Sequence, residues 1–183
     1  QLLAWLVEAG LDGPLRIRTN GESAVRSVAQ ELATGRRTTT DMETTLVTHS
    51  DSLGEAERAI QVIAGLTRTF LSAREERWQM RSTIDEPIVG WAIRHAAWVY
   101  NRFQVRGRRI GDGVFGQTAF EALHRREYKS PLFVFGQQVM ARHTDALKAT
   151  TASERWFSGI WLGRCTEVDD HPVGTPEGVS VIR

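Results

Sequence analysis

The sequence predicts an α/β protein that ends in a small module rich in β-structure. Apolar residues recur first at helical spacing, then in a short β-like run, then again at helical spacing. Beyond about residue 129 the apolar runs are short and bounded by turn-forming residues, which favours strands. The 183 residues are enough to bury a sizeable core. We therefore expect an α/β domain over residues 1–128 and a small β module over residues 129–183.

The composition is that of an ordinary globular protein. Apolar residues make up 41% and charged residues 25% of the chain, and the net charge of +1 means that any basic surface is local. The one cysteine, Cys165, excludes an intramolecular disulfide and a cysteine metal cluster, and it favours a reduced compartment. The most apolar window, 84–103, is interrupted by charged residues and does not predict a membrane span. The chain begins without methionine or a basic leader, so we expect further sequence upstream.

The first third of the chain predicts a helix, a strand and a second helix. Apolar residues at helical spacing end at Gly10, and the run "LRIRT" is typical of a strand. Ser23 is a candidate cap for a helix that ends near Gly35. Two threonine-rich runs, 37–40 and 44–48, are β-like, and we expect one of them to pair with the sheet.

Two further helices and several short strands are predicted downstream. A long helix is expected from about Ser52 to Arg77, and a well-buried one from Asp85 to Asn101. The segment "QVRGRRIGDGVFG" has the composition of a basic, glycine-rich loop, and Thr118 can cap the short helix "AFEALHRRE". Paired strands with a turn at Gly136 are expected in "PLFVFGQQVMARH", and two more strands in "FSGIWLGRCTEV" and "GVSVIR".

The helix from Asp85 to Asn101 contains a histidine and two tryptophans on its apolar surface. Trp91 and Trp98 are seven residues apart, which is the spacing of core residues. His95 has no second histidine or acid four residues on, so we expect it to be a hydrogen-bonded or interfacial residue and not a metal ligand.

The long helix begins with two glutamates, Glu55 and Glu57, and either one is a candidate catalytic carboxylate. At about 100° per residue, the apolar residues form one stripe that should face the core. That stripe consists of Ala56, Ala59, Ile60, Ile63, Leu66 and Phe70. The two glutamates fall at opposite borders of it, so helical geometry does not choose between them. Either glutamate also interacts favourably with the helix dipole without any catalytic role.

The stretch "HSDSLGEAERAIQ" resembles the integrases of retroviruses and retrotransposons, especially the copia-like group. In that family a polar loop precedes the pattern G-x-x-E-R, which here selects Glu57, behind His49 and Ser50. Upstream, "LRIRTNGESAV" is similar to the family's strand and turn, and Asn20 occupies the place of the second acid of the D, D, E triad. Thirty-six residues separate Asn20 from Glu57, a spacing similar to that of the family.

The resemblance continues to the end of the chain. The segments "WAIRHAAWVYNRF", "GQTAFEAL" and "LFVFGQQVMAR" are similar to successive family segments in the same order. "RWFSGIWLGR" resembles the family's small C-terminal β module, with the pattern G-x-x-L-G at Gly159 to Gly163.

The resemblance implies a ribonuclease H-like mixed sheet flanked by helices, whose first strands and first acid would precede Gln1. In the intact family three carboxylates hold two Mg²⁺ or Mn²⁺ ions that drive phosphoryl transfer on DNA. The catalytic positions here are Glu57 and Asn20, and Glu57 is the remaining metal ligand. Because one carboxylate cannot hold two divalent ions, we expect no stoichiometric metal binding and no strand transfer by this chain. Glu22, two residues beyond Asn20, is a weak candidate for a substitute acid.

The partner implied by the resemblance is DNA, bound by multimers in the nucleus, with no membrane and no small-molecule substrate. The residues expected to contact DNA are all polar or cationic: Arg18, Arg58, Gln61, Arg68, Arg106, Arg108 and Arg109. Arg16 and Arg102 lie near them in the sequence. The alternative for each arginine is an ordinary solvated surface, because the chain also has 22 acids. The alternative function is a non-catalytic nucleic-acid-binding or self-association domain, in which the helix from Asp85 to Asn101 is core or interface.

Overall fold

The computed structural model describes residues 2–8, 10–44, 54–110, 113–142, 155–165 and 169–183. The chain divides into two compact units, Gln1–Ile60 and Gln61–Arg183. The fold is mixed α/β, with a parallel two-stranded sheet and helices followed by a four-stranded antiparallel sheet near the C-terminus. The prediction of an α/β protein with β-structure near the C-terminus is therefore confirmed. Within the described ranges, no helix combines the length and the apolar character that crossing a bilayer requires.

The first unit contains two helices and a pair of parallel strands. Helix α1 spans Leu2–Glu8, strand β1 spans Leu15–Thr19, helix α2 spans Ser23–Gly35 and strand β2 spans Thr40–Thr44. Strands β1 and β2 pair in parallel, from Leu15 opposite Thr40 to Thr19 opposite Thr44, so α2 is the crossover of a β-α-β unit. The predicted strand at 15–19 and the predicted helix ending near Gly35 are confirmed.

Two details of the first unit differ from the prediction. Ser23 is the first helical residue and not the cap, because Glu22 occupies the N-cap position and makes no side-chain cap hydrogen bond. Strand β2 lies between the two predicted β-like runs, since its position is set by the register with β1. The predicted run at 44–48 lies mostly outside the described residues.

Arg36 fixes the turns of the first unit. Its Nη1 donates to the carbonyl of Leu11 at 2.9 Å, its Nη2 to the carbonyl of Gly13, and its Nε to Thr40 Oγ1 at 3.0 Å. One guanidinium thus joins the turn before β1 to the start of β2, which positions the two strands for pairing.

Helix α3 (Gly54–Trp78) spans the boundary between the units, and the second unit contains the remaining elements. Helices α4 (Pro87–Phe103) and α5 (Ala119–His124) flank a hairpin of strands β3 (Val105–Ile110) and β4 (Gly113–Thr118). The last sheet contains β5 (Gln138–Arg142), β6 (Trp156–Trp161), β7 (His171–Thr175) and β8 (Gly178–Ile182), paired in chain order.

The core of the second unit is built around α4. Ala92, Ala96 and Trp98 are fully or almost fully buried, which confirms the expectation of a well-buried helix. The imidazole of His95 packs among four aromatic rings, with centroid distances of 5.0–5.8 Å. These rings are Phe70, Trp98, Phe135 and Trp161. Trp91 is only half-buried, so the core prediction holds fully for Trp98 alone.

The two glycines of the G-x-x-L-G pattern have steric roles. A Cβ on Gly159 would lie 2.4 Å from Val173 Cγ1 and 2.8 Å from the carbonyl oxygen of Gly174. Gly163 has a φ of 115°, and a Cβ there would lie 2.8 Å from His95 Nδ1. The pattern is therefore explained by close packing of β6 on β7 and of the following turn on α4.

Three predictions for the chain from α3 onward are wrong. The basic segment expected to be a loop forms the hairpin β3–β4, because backbone pairing along its length compensates for its glycines. Residues 131–134 are not a strand, and β5 pairs instead with β6. Ile60, expected in the core stripe of α3, is 66% exposed, and the buried position of that helix is Thr67. Ala59, Ile63, Leu66 and Phe70 of that stripe are half-buried, and Ala56 is exposed like Ile60.

Candidate nucleic-acid interface

Asn20 directly follows the C-terminal end of β1 and is exposed. Its Oδ1 accepts a hydrogen bond from the backbone N–H of Glu22 at 3.2 Å, which is the geometry of an Asx turn. Gly21, at a φ of 82°, continues this turn into α2. The side chain of Asn20 thus stabilises the entry of α2.

Glu57 and Glu55 both lie in the first turn of α3, and both are exposed. Neither belongs to the half-buried side of α3, which includes Ala59, Ile63, Leu66 and Phe70. The upstream residues of the predicted motif, His49, Ser50 and Asp51, lie outside the described residues. Exposure is therefore the same for the two glutamates and does not select either one.

The residues present do not fit a two-metal site. In the part of the chain that the structure describes, no group of three histidine, cysteine, aspartate or glutamate side chains is placed to hold a metal ion. At the two positions that the predicted motifs select, the chain offers one carboxylate, Glu57, and one amide, Asn20, whose oxygen already accepts a backbone hydrogen bond. Two divalent cations close together need more negative charge than this pair supplies.

Arg16 and Arg18 extend from β1 toward one acid on β2. Arg18 Nη2 lies 3.1 Å and Arg16 Nη1 lies 4.0 Å from Glu43 Oε2. All three side chains are substantially exposed, so the pairs are weak and remain accessible to an anionic partner. The surface of β1 is therefore basic but partly neutralised.

Helix α3 carries an exposed polar face along its first four turns. Glu57, Gln61 and Arg68 are spaced to share one side of the helix, and Arg58 is exposed beside them. Two arginines and an amide along one helix can contact successive phosphates of a nucleic acid strand.

The arginines at 106, 108 and 109 belong to strand β3, where the backbone of each pairs with a residue of β4. Their side chains lie outside what the structure describes, so their expected role in DNA binding stays a prediction.

Arg102 differs from the exposed basic residues around it. It is 8% exposed at the end of α4, and its guanidinium lies 4.3 Å from the ring centroid of Trp98, four residues earlier. Burial lowers the pKa of Arg102, while the charge of Asp169 opposes that shift. The i, i+4 spacing of tryptophan and arginine was the available sequence signal for this contact.

His95 is 4% exposed, and its Nδ1 has no hydrogen-bond partner in the structure. The expectation of a hydrogen-bonded histidine is wrong for this atom, because aromatic rings surround the imidazole. Burial without a compensating charge lowers the pKa of His95 to about 4. The ring is therefore neutral at physiological pH and acts as a core residue.

Comparison with protein-family models, with curated proteins and with solved structures found no match to this chain.

Proposed function

We propose that this chain is an integrase-core-like domain of a retroelement polyprotein that binds DNA and is catalytically defective. One observation carries the proposal: the parallel β1-α2-β2 unit places Asn20 directly after a strand, and the next long helix carries Glu57 in its first turn. These are the relative positions of the last two acids in a ribonuclease H-like integrase. The ribonuclease H-like fold, nuclear location and multimeric assembly on DNA are parts of the same proposal.

The loss of catalysis follows from charge. An asparagine at the second position removes one negative charge, and a glutamate alone cannot bring two dications close together. Calorimetric titration of the chain with Mn²⁺ tests this directly. We expect no stoichiometric binding, and tight binding of two ions per chain would overturn the proposed defect.

The exposed face of α3 supports DNA binding, because Arg58, Gln61 and Arg68 are exposed there. Among the described residues, no acid forms an ion pair with Arg58 or Arg68. Neutralising phosphates with these arginines would release counterions and make the affinity depend on salt. Changing Arg58 and Arg68 together to alanine should reduce the slope of log affinity against log salt by about one to two units.

A charge-matched control distinguishes a specific surface from a general effect of net charge. Arg81 and Arg94 are exposed elsewhere, and replacing both with alanine removes the same charge. We expect that double variant to keep the wild-type salt slope. Equal slopes for the two double variants would remove the α3 face from the interface.

The alternative of self-association through the predicted helix at 85–101 has less support. The apolar face of α4 is buried inside the second unit, with Ala92 and Ala96 fully inaccessible, so little of it remains to bind another chain.

A further inference from the structure

The second unit contains a polar cleft of about 800 Å³ next to the end of α4. Its lining combines two aromatic rings with cations and acids, and the residues that matter here are Arg102, Phe120, Arg126, Tyr128, Lys129 and Asp169. This volume is in the usual range for small-ligand sites.

The cation at the inner wall of this cleft is held rigidly. The guanidinium of Arg102 lies 4.3 Å from the ring centroid of Trp98, 5.2 Å from that of Phe120 and 5.3 Å from that of Tyr128. These three ring contacts restrict the side chain, so little conformational entropy is lost when an anion binds to it.

Asp169, whose charge acts on Arg102, also has other partners. Asp169 accepts the hydroxyl hydrogen bond of Tyr128, with oxygen distances of 2.8 and 2.9 Å, and its Oδ2 lies 3.0 Å from Arg164 Nη1. Arg164 is itself buried and also donates to the carbonyl of Pro131 at 2.9 Å. A single carboxylate is therefore shared by one buried arginine and a phenol.

The remaining charges leave the cleft cationic. Lys129 lies 3.6 Å from Glu127 at the exposed rim, so these two charges offset each other. Arg126 is exposed and adds a further positive charge to the lining. Among the lining residues the cations Arg102, Arg126 and Lys129 outnumber the acids Glu127 and Asp169, so the cleft favours an anionic ligand.

We propose that this cleft binds a phosphate monoester, with Arg102 and Arg126 on the phosphate and the rings of Phe120 and Tyr128 beside the group that carries it. A monoester is favoured over a carboxylate because it carries nearly two charges and offers three acceptor oxygens to the guanidinium groups. The ester can belong to a free nucleotide or to the 5′ end of a nucleic acid strand. The inference does not depend on the integrase-like function proposed above, because its residues are not those of the α3 face.

The first experiment titrates the full chain with inorganic phosphate and with thymidine 5′-monophosphate, and follows the Nε–Hε resonance of Arg102 by NMR. We expect saturable shifts of that resonance with both probes and none with thymidine. Absence of saturation, or an equal response to thymidine, would overturn the proposal.

A matched pair of variants tests the residues. Arg126→Ala removes an exposed arginine of the cleft, and Arg81→Ala removes an exposed arginine outside it. We expect the affinity for thymidine 5′-monophosphate to fall about tenfold in Arg126→Ala, because a charge-assisted hydrogen bond is lost, and to be unchanged in Arg81→Ala. Arg102→Lys keeps the buried charge without the planar fork, and we expect it to lose binding while its thermal unfolding stays cooperative. Equal affinities in Arg126→Ala and Arg81→Ala would overturn the assignment.

The source of the phosphate is determined with short oligothymidylates. A strand with a 5′-phosphate that binds more tightly than thymidine 5′-monophosphate, and loses that advantage in Arg126→Ala, would identify a strand end as the ligand. Equal affinity for the strand and the mononucleotide would identify a free nucleotide. Binding of a 5′-hydroxyl strand that shifts Arg102 equally would contradict recognition of a monoester. If the variant with both Arg58 and Arg68 changed to alanine keeps the wild-type salt slope while the cleft still binds phosphate, only the DNA surface on α3 is refuted.

Discussion

Arg18 on β1 and Glu43 on β2 occupy paired positions of the parallel sheet, and Arg18 Nη2 lies 3.1 Å from Glu43 Oε2. The same carboxylate oxygen lies 4.0 Å from Arg16 Nη1. One acid thus partly neutralises the two arginines that precede Asn20, and it competes with any phosphate that binds there.

Replacing Glu43 with glutamine should therefore strengthen DNA binding. The change leaves Arg16 and Arg18 without this acid, so we expect the salt slope to become steeper by about one to two units. Anisotropy titrations of a labelled duplex at several salt concentrations measure the slope. The free energy of unfolding should change by less than about 1 kcal/mol, because the ion pairs are exposed.

Glu31→Gln is the control for that variant, since Glu31 is an exposed acid of α2 and its replacement changes the net charge equally. An equal increase of affinity in both variants would show that total charge is responsible and not the arginines of β1.

The three arginines of β3 give a second prediction about DNA. Changing Arg106, Arg108 and Arg109 together to alanine should lower the salt slope by about one to three units, because this is the densest basic stretch of the chain. Backbone pairing holds the β3–β4 hairpin, so far-ultraviolet circular dichroism should be unchanged. A wild-type slope in the triple variant would exclude this strand from the interface.

Local signals in the sequence were sufficient for some elements and not for others. Strand β1 and helix α2 were predicted closely, because turn residues and a change of apolar period mark their ends. Strand β7 was missed because "HPVGT" contains proline and glycine, which disfavour strands. It forms because β6 and β8 pair with it on both sides, and that pairing is non-local.

The same difference between local and non-local signals applies to the candidate site. Asn20, Glu57 and Arg18 were found as positions in a local pattern, whereas the contact of Arg18 with Glu43 depends on the register of two strands. The cleft at Arg102 was not predicted, because Asp169 comes from a distant segment that only the tertiary fold brings near α4.

The capping box at the start of α5 predicts a measurable loss of stability. Thr118 Oγ1 accepts from the backbone N–H of Glu121 at 3.1 Å, and the Glu121 carboxylate accepts from the backbone N–H of Thr118. Thr118→Ala should lower the free energy of unfolding by about 1 kcal/mol, measured by urea denaturation. Thr69→Ala is the control, because Thr69 is exposed inside α3 and alanine is the better helix former. An equal loss in Thr69→Ala would contradict a specific role of the cap.

The buried His95 predicts a loss of stability in acid. Its pKa is lowered from 6.5 to about 4, so protons bind more readily to the unfolded chain. Above pH 6.5 the ring is neutral in both states and carries no penalty, and stability falls as the pH decreases from 6.5 toward 4. The full effect is on the order of 3 kcal/mol, and urea unfolding at a series of pH values measures it.

His95→Leu should flatten this pH dependence, because leucine has a similar volume and does not titrate. His124→Gln is the control, since His124 is an exposed histidine on α5. The lowered pKa of His171 acts in the same direction, so some acid sensitivity will remain in His95→Leu. The interpretation of His95 fails if its variant and the control show identical pH profiles.

Two glycines should respond to alanine with opposite signs. Gly136 has a φ of 74°, and a Cβ there would lie 3.0 Å from Arg74 Cγ. The turn cannot relax easily, because the Gly136 carbonyl accepts from Trp78 Nε1 at 2.9 Å and its N–H donates to the Trp161 carbonyl at 3.0 Å. Gly136→Ala should therefore lower the free energy of unfolding by about 1–2 kcal/mol.

Gly65 is the matched opposite case, because it lies inside α3 and a Cβ there would meet no atom within 4 Å. Gly65→Ala should raise the free energy of unfolding by about 1 kcal/mol, since alanine restricts the unfolded chain and favours the helix. Urea denaturation of both variants against the wild type gives the two signs in one experiment. A stability gain in Gly136→Ala would show that its left-handed turn is not required, and a loss in Gly65→Ala would show that the exposed side of α3 is packed.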